Sequence, residues 1–90
     1  MGLSTYIAEE FSKHPEVLAV LAGSSAHVMH VWLIVRESTR QTRSALYAVQ
    51  GRLIENFPEE EFDFYVVEQL EGHGVEQMVS GIPVVFSRNV

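Results

Sequence analysis

The sequence predicts one small α/β domain of the α+β kind, in which helices pack on a four-stranded mixed sheet. Three observations favour this class: two amphipathic helical patterns, several short runs rich in β-branched residues, and a length of 90 residues without a repeat or linker. A chain of this length has room for one hydrophobic core. We therefore expect residues 1–90 to form a single domain with the element order α-β-β-α-β-α-β.

Three helices are predicted, two of them from apolar side chains that recur every three or four residues. The first covers residues 3–14, with Ser4 as its N-cap and Pro15 just beyond its end. The second and longest covers residues 38–57. A short third helix is expected over residues 75–80, after two glycines interrupt the chain.

Four strands are predicted from apolar runs that turn-forming residues interrupt. They cover residues 17–22, 28–35, 62–68 and 82–86. Only a short turn separates the first two strands, so we expect an antiparallel hairpin with Gly23-Ser24-Ser25 at its bend. Pro83 favours an edge position for the last strand, because proline cannot donate a hydrogen bond to a neighbouring strand.

The strand at residues 28–35 is apolar on both faces, since both of its alternating sets of side chains are apolar. Such a strand lies inside a sheet that is covered on both sides, or one of its faces meets a partner. A hydrophobic fraction of 47% is also high for so short a chain. We therefore expect a homo-oligomer or a protein partner, with Trp32 and His30 as core residues or as interface residues.

The composition argues against several partners and reactions. Six basic residues stand against twelve acidic residues, a formal net charge of -6, which disfavours binding to a nucleic-acid backbone. Without cysteine the chain has no disulfide, no thiolate nucleophile and no thiolate metal site. The first residues lack a basic leader region, and no apolar stretch approaches the roughly 20 residues that span a bilayer. We expect a cytoplasmic protein that does not enter membranes.

The Gly23-Ser24 pair after the first strand, the long helix, and the segment Phe62-Asp63-Phe64-Tyr65-Val66-Val67 together resemble the minimal nucleotidyltransferases, of the DNA polymerase beta-like nucleotidyltransferase superfamily. The resemblance covers residues 15–88. Members place a Gly-Ser turn after the first strand, an Asp-x-Asp pair on the next strand, and a third carboxylate on the strand after the helix. Gly23 and Ser24 match the turn, and Asp63 matches the third carboxylate.

The chain departs from this pattern where the Asp-x-Asp pair would be, because His30 and Trp32 stand there. Phosphoryl transfer of this kind uses metal ions held by several carboxylates, and Asp63 alone cannot hold them. The resemblance therefore implies a domain that has kept the fold and lost the chemistry, with no metal and no cofactor. It implies a regulatory or antitoxin-like protein that associates with itself or with another protein. A nucleotide stays a candidate ligand at Gly23, Ser24 and Asp63.

Two basic residues near the start of the long helix are candidate anion ligands. Arg40 and Arg43 lie three positions apart, so they can share one helix face and bind a phosphate or a carboxylate. Helix N-terminal amides also favour an anion. The alternative is a solvated helix face on which both arginines simply meet water.

Two further hypotheses stay open. The first is a ferredoxin-like α/β sandwich that forms a homo-oligomer and binds a small ligand between chains; strand order separates it from the nucleotidyltransferase-like arrangement. In that arrangement the hairpin lies beside the strand that carries Asp63. The second is a true enzyme that uses Ser24 with His27 or His30 and with Asp63.

Overall fold

The computed structural model describes residues 2–69 and 81–88, and these form two helices and a four-stranded mixed sheet. The elements are α1 (Leu3–Ser12), β1 (Val17–Ser25), β2 (Val28–Val35), α2 (Arg40–Asn56), β3 (Glu61–Glu68) and β4 (Val84–Ser87). The predicted α+β class and the mixed four-stranded sheet are confirmed. The short helix predicted over residues 75–80 lies outside the described residues.

The sheet has the strand order β3-β2-β1-β4. β1 runs antiparallel to both β2 and β4, whereas β2 and β3 are parallel. Parallel neighbours need a crossover connection, and α2 is that connection. The hairpin of β1 and β2 therefore lies beside the strand that carries Asp63, and β4 occupies an edge, as Pro83 predicted.

The bend of the hairpin is not where the sequence predicted it. Gly23, Ser24 and Ser25 belong to β1, and Ser25 pairs with Val28 across the hairpin. The turn consists of Ala26 and His27, whose φ angles are 51° and 66°. Positive φ at both positions is what a two-residue type I′ loop requires, and this loop suits the twist of the strands without needing glycine.

The N-cap of α1 also differs from the prediction. Ser4 lies inside α1, and Gly2 is the N-cap without a side-chain hydrogen bond, so the predicted Ser4 cap is wrong. At α2 the hydroxyl of Thr39 accepts a hydrogen bond of 3.1 Å from the amide of Thr42. This bond satisfies one of the amides that every helix start leaves unpaired, so α2 begins at Arg40.

The main core lies between the first face of the sheet and the two helices. Its buried side chains come from every second position of β2, from β1, and from the inner faces of the helices: Ile7, Phe11, Val17, Val20, Ala22, Met29, Val31, Leu33, Val35, Leu46, Val49 and Leu53. Phe62, Phe64 and Val66 of β3 pack against this cluster, as their alternation predicted. Full burial of one such aliphatic side chain stabilises the fold by about 1.5–3 kcal/mol.

The two helices also contact each other directly. The rings of Tyr6 and Phe57 meet edge to face with centroids 5.2 Å apart. The Glu10 carboxylate lies 2.7 Å from the ammonium of Lys13 and 3.7 Å from the guanidinium of Arg52 on α2. The hydrogen bond from Lys13, followed by the charges of both cations, lowers the pKa of Glu10 below its usual value.

Arg88, just after β4, joins three parts of the chain. Its guanidinium donates hydrogen bonds to the carbonyls of Ser12, His14 and Val17, at 3.0, 3.3 and 3.1 Å. The Ser12 carbonyl belongs to the last turn of α1, where a cation is favoured. Arg88 therefore fixes the end of α1 against β1, and its Cζ also lies 5.1 Å from the ring centroid of Phe86.

We expect His27→Gly to raise the free energy of unfolding by about 1 kcal/mol, because glycine adopts positive φ without the steric cost that other residues meet there. Urea denaturation followed by circular dichroism measures the change. The matched control is His14→Gly, which adds the same glycine where φ is not positive and should destabilise the protein. A loss of stability in His27→Gly would contradict the turn described here.

We expect Arg88→Ala to lower the free energy of unfolding by about 2 kcal/mol, since it leaves three carbonyls without a charged donor. Arg88→Lys should lose less, because the ammonium keeps the charge but cannot reach all three acceptors. Arg43→Ala is the control: this exposed arginine should change stability by no more than about 0.5 kcal/mol. Equal effects of Arg88→Ala and Arg43→Ala would show that the guanidinium contacts contribute nothing.

Candidate functional site

The face of the sheet opposite the helices carries a second, smaller apolar cluster. Ala19, Leu21 and Ile34 are fully buried at its centre, and Trp32, Val67 and Ile82 pack against them. Both described helices contribute to the other cluster, on the first face. The second face is therefore not covered by α1 and α2, and Ile82 supplies part of its cover.

Three rings stand in a row on this second face. β2 and β3 pair in register, so Trp32 lies opposite Tyr65 and His30 lies opposite Asp63. Neighbouring strands are about 4.8 Å apart, which brings the rings of paired residues into stacking distance. The rings of Trp32 and Tyr65 are stacked, with centroids 4.3 Å apart and 18° between their planes. The His30 ring is almost parallel to that of Tyr65, at 20° and 6.4 Å.

Gly23 allows the chain just before β4 to lie against β1. A Cβ atom at Gly23 would be 3.3 Å from Cδ of Pro83 and 3.4 Å from Cγ2 of Ile82, tighter than ordinary packing. The amide of Ala22 donates a 3.1 Å hydrogen bond to the carbonyl of Pro83 at the same place. Gly23 is therefore a close-approach glycine and not a turn residue.

These residues line a concave site of about 530 Å³ that is open to solvent, a volume within the range of small-ligand pockets. We call it the aromatic site, and its lining residues are Gly23, Ser24, Ser25, His30, Trp32, Tyr65, Gly81, Ile82 and Pro83. One wall consists of the three rings, and the opposite wall is the segment from Gly81 to Pro83. Ser24 and Ser25, both exposed, lie at one end, where Ser25 pairs with Val28 and has its side chain on the second face, whereas Ser24 pairs with Met29 of the main core.

Asp63 lies next to the aromatic site, on the same face of the sheet. Its Oδ2 accepts a long hydrogen bond of 3.5 Å from the Tyr65 hydroxyl and lies 3.7 Å from Nδ1 of His30. The second distance is too long for a hydrogen bond, so Asp63 does not hold the His30 ring in one orientation. The Asp63 side chain is 55% exposed, and its carboxylate is therefore open to a ligand.

Three chemistries can be compared with this geometry: metal binding, serine catalysis and phosphate binding. In the described ranges, no three His, Asp or Glu side chains lie close enough to share a metal ion. No hydrogen bond joins the Ser24 hydroxyl to His30 within those same ranges, and His27 lies in the exposed turn of the hairpin. Among the described residues, neither lysine nor arginine lines the aromatic site, so no permanently charged cation there would neutralise a phosphate.

The residues that the sequence singled out fall into two groups. Gly23, Ser24, His30 and Trp32 line one site, with Asp63 beside it. Arg40 and Arg43 are exposed on α2, which packs on the first face of the sheet. The two arginines therefore lie on the helical layer, away from the aromatic site.

Sequence reasoning missed Tyr65 and the wall formed by residues 81–83. Tyr65 could have been found, because its alternation on β3 places it on the same face as Asp63. The wall could not, since its contact with Gly23 joins residues about 60 positions apart and leaves no local pattern.

Comparison of the chain with protein-family models and with curated proteins finds no match. Within the described ranges, no helix is both long enough and apolar enough to cross a membrane. A function is therefore inferred from the aromatic site and from the strand order.

We expect Gly23→Val to lower the free energy of unfolding by about 1–3 kcal/mol, because the branched side chain forces Pro83 and Ile82 away from β1. Trp32 emission should also shift to longer wavelength as the wall of the site opens. The matched control is Gly51→Val on α2, where an added Cβ meets nothing within 4 Å. That variant should change stability by no more than about 0.5 kcal/mol. Equal losses in the two variants would contradict the close approach at Gly23.

Proposed function

We propose that this chain is a noncatalytic binding domain, nucleotidyltransferase-like in the order of its elements, which associates with another protein through the aromatic site. The observation that carries the proposal is the row formed by Trp32, Tyr65 and His30 on one wall of a concave surface. Tryptophan and tyrosine dominate the residues that contribute most to protein interfaces, because they bury large areas at low cost in conformational entropy.

The residue types at the centre of the site support binding over phosphoryl transfer. His30 and Trp32 occupy the positions at which the resemblance would place two carboxylates, and both side chains line the site. Asp63 is the carboxylate that contacts the lining residues His30 and Tyr65. Metal-assisted transfer needs several hard oxygen ligands, and triphosphate binding needs cations. Among the described residues, no three His, Asp or Glu side chains lie close enough to share a metal ion, and neither lysine nor arginine lines the site.

The strand order supports the nucleotidyltransferase-like part of the proposal over the ferredoxin-like alternative. The hairpin of β1 and β2 lies beside β3, and β3 carries Asp63 opposite His30. The nucleotidyltransferase-like hypothesis predicts a hairpin beside the strand that carries Asp63. A regulatory or antitoxin-like subunit is the role that we propose for such a domain, with a different protein as its partner.

Site-specific photo-crosslinking in the cells that produce the protein tests the proposal. We expect Tyr65→p-benzoylphenylalanine to form an adduct with one defined partner, because Tyr65 lines the aromatic site and its side chain is accessible. The matched control is Tyr47→p-benzoylphenylalanine on α2. Tyr47 is more exposed than Tyr65, at 59% against 37%, but it lies on the helical layer. Mass spectrometry of the purified adducts identifies what is joined.

An adduct at Tyr65 that is absent from the Tyr47 variant supports association through the aromatic site. Its mass distinguishes a different protein from a second copy of the 10.2 kDa chain. Adducts at Tyr47 without adducts at Tyr65 would place the interface on α2 and contradict the proposal. The lack of any adduct at Tyr65 would contradict it as well.

A further inference from the structure

We infer that the aromatic site accepts a planar cation, and that its occupant is the guanidinium group of an arginine on the partner protein. This inference rests on the proposed function and names the chemistry by which the partner is recognised. It is carried by three observations: the stacked rings, the exposed carboxylate beside them, and a lining that contains neither lysine nor arginine among the described residues.

The stacked pair offers a ring face to a flat group. Trp32 and Tyr65 are stacked with 18° between their planes, so each ring covers one face of the other and keeps a second face that this stacking leaves uncovered. The two rings are nearly parallel and therefore do not form a cage of perpendicular rings. A compact ammonium group gains most from a cage that surrounds it. A guanidinium group is planar and stacks face to face on one aromatic ring, so one uncovered ring face is sufficient for it.

The carboxylate supplies a partner for the edge of the same group. In the described part of the chain, Asp63 contacts His30 and Tyr65 through Oδ2 alone. Both contacts are long, at 3.7 and 3.5 Å, so they leave the carboxylate with capacity to accept shorter bonds. Guanidinium donates two parallel hydrogen bonds to a carboxylate, an arrangement that lysine cannot reproduce.

The charge around the site favours a cation and disfavours an anion. Among the described residues, neither arginine nor lysine lines the site, so the side chain beside Asp63 that can carry a positive charge is His30, at 3.7 Å. The whole chain carries a formal net charge of -6, which draws a basic partner and repels a second copy of the same chain. The hydroxyl of Ser25, whose side chain lies on the second face, is an acceptor at one end of the site and suits an N–H donor.

Trp32 allows a direct test, because it is the only tryptophan of the sequence and it lines the site. The probes are three peptides, acetyl-Gly-X-Gly-amide, in which X is arginine, lysine or citrulline. Citrulline keeps the shape of arginine and lacks its charge. We expect the arginine peptide to change Trp32 fluorescence saturably, with an affinity at least about tenfold higher than that of the other two peptides.

Two variants locate the carboxylate that binds. Asp63→Asn should weaken binding of the arginine peptide by about tenfold, since it replaces a charged acceptor with a neutral one. Glu55→Gln is the matched control: it removes the same charge from an exposed position on α2, on the helical layer. It should leave the affinity within about twofold of the original, because screening at physiological salt weakens distant charges. Asp63 is exposed, so the variant is expected to fold, and its circular dichroism checks this.

Several results would overturn the inference. Equal affinity for the lysine peptide would show plain charge attraction, and equal affinity for the citrulline peptide would show recognition of a neutral flat group. No saturable response to the arginine peptide would exclude a guanidinium ligand at this site. The crosslink at Tyr65 tests the proposed function independently of these peptides. If the crosslink forms but the arginine peptide does not bind, the protein associates with a partner through a group other than guanidinium.

Discussion

The structure depends on one constraint: β2 lies inside the sheet and is apolar on both faces. A strand of this kind must be covered on both sides, because apolar side chains on either face would otherwise meet water. The described helices cover only the first face, where Leu33 and Val35 join the main core. The second face, with Ile34 at its centre, needs another cover. Within the described ranges, Ile82 supplies part of that cover, and the aromatic site lies beside it.

The strand register determines which residues share that surface. The parallel pairing of β2 with β3 sets Trp32 opposite Tyr65 and His30 opposite Asp63. A shift of β3 by one residue would turn Asp63 and Tyr65 toward the helices and Phe62 and Phe64 away from them, so the core of the first face enforces the arrangement of the second. The same alternation that packs Phe64 against the main core therefore exposes Tyr65. In this way the packing of the core positions the rings of the aromatic site.

Much of the fold could be predicted because its signals are local and periodic. The long helix, the alternation of β3 and the two apolar faces of β2 all follow from the spacing of apolar residues. The errors fall where local composition misleads. Gly23 and the serines after it have the composition of a turn, yet glycine is needed there to admit Pro83, and the turn uses Ala26 and His27 at positive φ. Backbone conformations of this kind are set by strand pairing and leave no pattern in composition.

The candidate site was only partly accessible from the sequence. Its members Gly23, Ser24, His30, Trp32 and Asp63 were singled out, but for different reasons, and their meeting at one place follows from the register alone. Arg40 and Arg43 were singled out on helical spacing and lie on the other layer, because spacing along a helix says nothing about which sheet face is near.

We propose that this site binds a partner protein and does not transfer nucleotides. Calorimetric titration of the purified protein with Mg·ATP and the other nucleoside triphosphates is the decisive measurement, because nucleotidyl transfer requires the complex with the metal-bound triphosphate. We expect only heats of dilution, since the described residues offer no group of three metal ligands and neither lysine nor arginine in the lining, and such a site cannot hold a metal-bound triphosphate. Binding that depends on Mg²⁺ and is lost in Asp63→Ala would show that the site binds nucleotides and would restore the case for an enzyme.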